Sequence, residues 1–319
     1  MAPAIHVFMF PGQSSIDPQM MRRALRINPL GTALLARASE ILQRDLVSWL
    51  ADPAGVAFTS NRQLQVGVFL ATQMHLDALA AHGIFGDCSL GLSLGEYSHL
   101  VHIGALDFAD ALRLVDRRGE LYDAGPSGCM VSVFPVEIEA VDDAVRRASA
   151  HGVVEISNYN SPTQHVLAGD AKAVESAAQL LEDEHSAHVV TIERRIPMHC
   201  SRFSSVAEAF RPHLAAASWK APRRAYLPNV DGSSMESATQ ADFVRCLSEH
   251  VHRPVRWRSS IEQIAARCPE AVFVEVGPRN VLHNMLSKRW LPVPRLRTDD
   301  DVDPVATFAA TVGALRHAD

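Results

Sequence analysis

The sequence runs to 319 residues, 47% hydrophobic and 21% charged, with a formal net charge of −6; that apolar content suits one large soluble domain, or a domain carrying an insertion, and excludes a disordered chain. No apolar stretch reaches eighteen residues before charge, Pro or Gly breaks it, so no membrane span is expected. The charge is uneven: residues 194–298 hold 17 Lys and Arg against 8 Asp and Glu, a basic zone that could draw an acidic partner without making the chain a nucleic-acid binder.

In chain order, "IHVFMF" (5–10) has no basic lead and stops at Pro11-Gly12, so it reads as a first strand rather than a signal peptide, and a cytoplasmic location is expected. Residues 18–51 and 62–83 place apolar residues at helical spacing, with Pro or Gly near most ends. In "CSLGLSLGEYSHL" (88–100) an apolar run gives way to a helix-like pattern around Gly91-Leu92-Ser93-Leu94-Gly95. A serine on such a strand-to-helix turn stands above the sheet at the positive end of the next helix, and the glycines are expected to permit the bend. The pentad alone is weak evidence, since a loop serine between two turn glycines has the same spelling.

Residues 107–123 form another amphipathic helix. Phe108, Ala111, Leu112, Val115 and Tyr122 make one stripe, and Arg118 falls on it. Its neighbours at three and four positions are Leu114, Val115, Leu121 and Tyr122, so no acid on its own helix can pair with it. An inward arginine without a local partner needs an anion from elsewhere. That anion is either a distant Asp or Glu or a ligand.

Residues 128–194 read strand, helix, strand, strand, helix, strand, from "CMVSVFPV" through "EIEAVDDAVRRASAHG", "VVEISNYN", "QHVLAGD" and "AKAVESAAQLLEDEH" to "HVVTIE". Two β-α-β units in that order predict a ferredoxin-like small subdomain, inserted into a larger α/β subdomain formed by 1–127 and 195–319. A helix over 259–268 and a strand over "AVFVEVG" (271–277) complete the larger part. Five cysteines lie far apart without a C-x-x-C pair, which reads as free thiols. Fifteen histidines show no H-E-x-x-H spacing, so no metal is expected.

Seven blocks, "HVFMFPGQSS", "GLSLGEYSHL", "RLVDRRGELY", "ISNYNSPTQHVLAGD", "IPMHCS", "HRPVRW" and "FVEVGPRNVL", occur in the order and spacing of the malonyl-CoA:acyl-carrier-protein transacylase family, which includes the acyltransferase domains of polyketide synthases. The sequence resembles that family from about residue 5 to 286, and its length resembles the free-standing members. The resemblance implies an α/β-hydrolase-like large subdomain. It also implies Ser93 as a nucleophile that carries the acyl group as an ester, and His199 as its base. Backbone N–H groups of Gln13 and Leu94 would form the oxyanion hole, and the carbonyl of His250 would orient His199, leaving the His250 side chain without a necessary role. Arg118 would fork onto the free carboxylate of a malonyl-type group. Gln65 and Asn160 match polar positions lining the site.

Leu92 stands where relatives usually carry His or Gln, and Met198 where they carry Phe or Ser, so the pocket should be more apolar and more adaptable. The function implied is a discrete acyltransferase, in polyketide biosynthesis, moving an acyl group from CoA or a carrier protein to the phosphopantetheine thiol of an acidic acyl carrier protein. No permanently bound cofactor is expected. A carrier-protein hydrolase, an aminoacyl or peptidyl transferase and a catalytically silent docking subunit are the alternatives. The docking candidates in the basic zone are Arg194, Arg195, Arg202, Arg223, Arg224, Lys288 and Arg289.

Overall fold

The computed structural model describes residues 5–52 and 54–317; residues 1–4, 53 and 318–319, which include both outer ends of the expected large subdomain, lie outside the described residues. In chain order the first half contains β1 (His6–Phe10), α1 (Met20–Ile27), α2 (Gly31–Leu42), α3 (Leu46–Leu50), α4 (Asn61–Ala81), β2 (Cys88–Gly91), α5 (Gly95–His102) and α6 (Phe108–Asp123). Then follow β3 (Cys129–Phe134), α7 (Ile138–Ala148), β4 (Val154–Ser161), β5 (Gln164–Gly169), α8 (Ala171–His185) and β6 (His188–Glu193). The remainder is α9 (Ser204–Ala216), α10 (Gln240–His252), α11 (Trp257–Arg267), β7 (Val272–Glu275), α12 (Val281–Met285), β8 (Arg295–Arg297) and α13 (Pro304–His317).

The protein is α/β, with two separate four-stranded sheets. The first runs β2-β1-β7-β8 and is parallel throughout. Helices cover both faces of such a sheet, which is why β1 reads as an unbroken apolar run; its residues are all buried. Its carboxyl ends, after Phe10, Gly91 and Glu275, open at one edge, where ligands bind in open parallel sheets. Among the described residues no helix is long and apolar enough to cross a membrane.

The second sheet runs β4-β5-β3-β6 and is antiparallel, with a separate core of Val131, Val133, Leu167, Val141, Ala177 and Leu181 under α7 and α8. Its outer strand β4 is tied to the rest of the molecule through Tyr159 N–H to the Val255 carbonyl (2.9 Å) and Val255 N–H to the Ser157 carbonyl (2.8 Å). This seam brings β4 over the carboxyl end of β2.

The helical pattern over 18–51 is three helices rather than one. Pro29 follows Asn28, Gln43 ends α2 in the left-handed region at φ 52°, and Asp45 caps α3 by accepting from the Ser48 N–H at 3.0 Å.

Candidate active site

Ser93 follows β2 and precedes α5, and its own backbone carries the bend, at φ 51°. The sequence reading gave that task to Gly91 and Gly95, which the structure corrects: neither has a positive φ. They are required by close approach instead. A Cβ on Gly91 would lie 2.0 Å from the Gly95 carbonyl carbon, and one on Gly95 would lie 2.1 Å from the Phe10 carbonyl oxygen. Strand, turn and helix are thus pressed together backbone to backbone. Gly95→Ala is expected to lose about 3 kcal/mol or more of stability by urea unfolding, because no flexible side chain can yield.

Asn229, in the loop before α10, clamps the same turn. Its Oδ1 accepts from the Ser93 N–H (2.9 Å), while its Nδ2 donates to the Gly91 carbonyl (2.7 Å) and to Glu96 Oε2 (2.7 Å). Glu96 is fully buried in the first turn of α5 and also accepts from the Tyr226 hydroxyl. Burial pushes its carboxyl up to about 8, against the hydrogen bonds from Tyr226 and Asn229.

His199 reaches Ser93 from a turn after the small sheet. Its Nε2 lies 2.8 Å from Ser93 Oγ, and its Nδ1 lies 2.6 Å from the His250 carbonyl oxygen. A carbonyl only accepts, so Nδ1 bears the hydrogen and Nε2 is free to accept the serine proton. Burial first, then His250 and Arg118, holds the imidazole well below its usual pKa, with the His250 carbonyl opposing. The ring is therefore neutral at pH 7. Like Ser93, His199 sits in the left-handed region, at φ 60°.

Arg118 is buried as its place on the helical stripe predicts, 1% exposed, on the far side of the serine. Its Nη1 donates to Gln65 Oε1 (2.7 Å) and its Nη2 to Ser93 Oγ (3.2 Å), and the guanidinium lies over the Tyr122 ring at 4.3 Å. Among the described residues no carboxylate stands within ion-pair distance of Arg118. The buried Glu96 carboxylate feels the Arg118 charge without pairing with it, and the guanidinium donates to Gln65 and to the serine hydroxyl instead.

In front of Ser93 is a cavity of about 180 Å³ lined by Gln13, Leu92, Ser93, Asn160, Met198 and His199 together with Met130, Asn158, Ile192 and Met285. Gln65 lies behind, with Nε2 3.5 Å from Gln13 Oε1. The Asn160 side-chain oxygen is buried without a partner among the described residues. Among the described residues neither the Gln13 nor the Leu94 backbone N–H meets an acceptor in the chain. A larger cavity, about 520 Å³, is lined by Asp17, Arg22, Arg23, Arg26 and Arg279 and contains none of these residues.

The basic residues do not form one patch. Arg194 and Arg195 follow β6, close to cavity-lining Ile192, and Lys288 and Arg289 follow cavity-lining Met285. Arg202 is paired with Asp170 at 3.0 Å. Arg224 donates to the Asp87 carbonyl (3.1 Å), and the Arg223 N–H donates to Ile103 (2.7 Å). Asp87 precedes β2 and Ser93 follows it, so Arg223 and Arg224 stand at the opposite end of the strand, away from the serine. The linear charge balance could not show this.

Asn229, Glu96, Tyr226 and Asn158 were not among the residues picked out from sequence. The block "GLSLGEYSHL" contained Glu96, but nothing in its spacing marked it as the anchor of the turn.

A family model described as an acyl transferase domain matches residues 7–297. The malonyl CoA-acyl carrier protein transacylase of Escherichia coli O157:H7 is 33% identical over 289 residues, 88% of this chain and 91% of that protein. FabD from Acinetobacter baumannii shares the fold with a TM-score of 0.89 at 27% identity, over 100% of both chains. The malonyl-transacylase PlMCAT, solved in complex with the type II PKS acyl-carrier protein AntF, is similar with a TM-score of 0.87 at 26% identity, over 98% of this chain and 100% of that one.

Proposed function

The chain belongs to the acyl transferase domain family and is an acyltransferase of the malonyl-CoA:acyl-carrier-protein transacylase type, and from that premise we propose that it carries a malonyl-type group on Ser93 between a thioester donor and an acyl carrier protein. The observation that carries this reading is the buried guanidinium of Arg118, in no ion pair among the described residues, at 3.2 Å from a hydroxyl that His199 also holds at 2.8 Å. A nucleophile and a carboxylate reader are side by side.

In the first half-reaction His199 Nε2 takes the Ser93 Oγ proton as oxygen attacks the thioester carbon, the Gln13 and Leu94 N–H groups stabilise the oxyanion, and the C–S bond breaks to release the donor thiol. That thiolate receives the proton from His199. In the second half His199 deprotonates the phosphopantetheine thiol, sulfur attacks the ester carbon, and Ser93 leaves and regains its proton. The apolar lining from Leu92, Met130, Met198 and Met285 suits the arm that delivers the thioester. A carrier from polyketide biosynthesis is the partner we favour, because the similar PlMCAT was solved with one. We read the small unit, 128–194, as ferredoxin-like and the large one, 1–127 with 195–319, as α/β-hydrolase-like; the strand order β4-β5-β3-β6 and the parallel β2-β1-β7-β8 sheet support the division.

The experiment is intact-mass detection of the malonyl adduct with malonyl-CoA, followed by its transfer to a phosphopantetheinylated carrier. Free malonate as the main product at saturating carrier would make the protein a hydrolase. We assign docking to Arg194, Arg195, Lys288 and Arg289, which follow cavity-lining Ile192 and Met285 in the chain. Transfer to the acidic carrier is expected to weaken as salt rises, whereas acylation by a small uncharged thioester is not. Equal salt dependence of both halves would remove the docking assignment.

A further inference from the structure

His250 was assigned a role through its main-chain carbonyl alone, yet its side chain is as enclosed as that of His199. The two rings stack with centroids 4.7 Å apart and planes 15° from parallel. On the other side of His250, Nδ1 stands 2.9 Å from Glu96 Oε2. Glu96 is 0% and His250 1% exposed. The carboxylate gathers three donors, Tyr226 O–H on Oε1 with Asn229 Nδ2 and His250 Nδ1 on Oε2. A continuous path therefore runs from the turn that holds Ser93, through Glu96 and the His250 imidazole, to the face of His199.

We propose that Glu96 and the His250 side chain are positioning residues, a charge couple behind His199 that makes its imidazole a stronger base whenever Glu96 is ionised. This rests on Ser93 and His199 being the reacting pair. When Nε2 takes the serine proton the ring becomes a cation in a site already holding Arg118, and burial alone disfavours a second positive charge. An ionised Glu96 offsets that charge through the neutral, stacked ring between them. No proton passes to His250: His199 Nδ1 keeps its hydrogen on the His250 carbonyl, and His250 Nδ1 keeps its own on Glu96.

The groups facing this couple do not compete with it in the neutral to mildly alkaline range. From α10 itself Cys246 is held above its usual value by burial; from the loop before α10 Tyr226, and from α5 Tyr97, are held up in the same way. His250 is held well below its ordinary value by burial and by Arg118 of α6. Glu96 alone is left to change charge near 8. Its contribution is present above that pH and lost as pH falls through it.

The test is the pre-steady-state rate of Ser93 malonylation by malonyl-CoA from pH 5 to 9.5. Wild type is expected to show two rises: one below 6.5 as His199 loses its proton, and a second centred near 8, worth about 3- to 10-fold, as Glu96 ionises. Glu96→Gln removes the second rise. His250→Phe keeps the stacked ring but withdraws a donor from the carboxylate, and so moves the second rise to higher pH. His250→Gln, whose amide can donate to Glu96, returns it toward the wild-type position. A merely structural pair would change thermal stability or overall rate and leave the profile's shape unchanged. A second rise retained in Glu96→Gln, or unmoved in His250→Phe should the former not fold, overturns the proposal. A wild type that never malonylates Ser93 defeats the functional reading itself.

Discussion

Ser93→Ala is expected to abolish malonyl labelling by malonyl-CoA altogether, measured by intact mass, and to lower carrier malonylation by about 10⁴-fold or more. Among the described residues no other hydroxyl shares the position: Oγ lies between His199 Nε2 at 2.8 Å and Arg118 Nη2 at 3.2 Å, on the turn that leads into α5. The base is oriented from behind by the His250 carbonyl at 2.6 Å, where among the described residues no carboxylate stands. His199→Ala should leave a slow, strongly pH-dependent labelling, reduced by roughly 10²- to 10⁴-fold, since the hydroxyl then has no acceptor for its proton. Full-rate labelling of the Ser93→Ala protein would show that the group resides elsewhere, and the assignment of the turn would be wrong.

Arg118→Ala is expected to lower malonylation by about 10²- to 10³-fold while sparing, or raising, the rate with neutral acyl thioesters of similar size. The magnitude follows from leaving a dicarboxylic acyl group's free charge buried without its partner, an unmade charge-assisted fork costing about 3–4 kcal/mol. Arg118→Lys restores the positive charge without the planar fork and should recover part of the rate. The comparison is sharpened by what surrounds the guanidinium. Gln65 takes one arm at 2.7 Å and the Tyr122 ring lies against its face, so the arginine is held in position before any ligand arrives. Equal losses for malonyl and for neutral acyl groups would mean that Arg118 serves the serine rather than the cargo.

Much of the frame could be read from residue patterns. The helix "AKAVESAAQLLEDEH" occupies residues 171–185 as its spacing suggests, and the inward turn of Arg118 follows from five apolar neighbours on one stripe. What the sequence concealed were contacts between distant polar residues. Asn229 meets Ser93 across 136 positions and Tyr226 meets Glu96 across 130, from a loop without periodicity, where an amide that clamps a turn looks like any loop amide. The His250 side chain was passed over because its carbonyl sufficed for the task assigned to it. The glycines were read for conformational freedom, but they are needed for lack of bulk. The basic zone was blurred for another reason: closeness in sequence says nothing about which end of β2 a residue reaches, and Arg223 and Arg224 stand at the end away from Ser93.

Ser93 and His199 both sit where an L-residue is out of its comfortable range, at φ 51° and 60°. Each such conformation costs on the order of 1 kcal/mol and is kept only because its surroundings insist on it. Glycine would relax either position, and would also remove one of the two reacting groups. Thermal hardening and turnover therefore pull in opposite directions at these two sites. A lineage pressed toward hotter conditions would have to find its gains in the loops and outer helices, leaving this pair as uncomfortable as before.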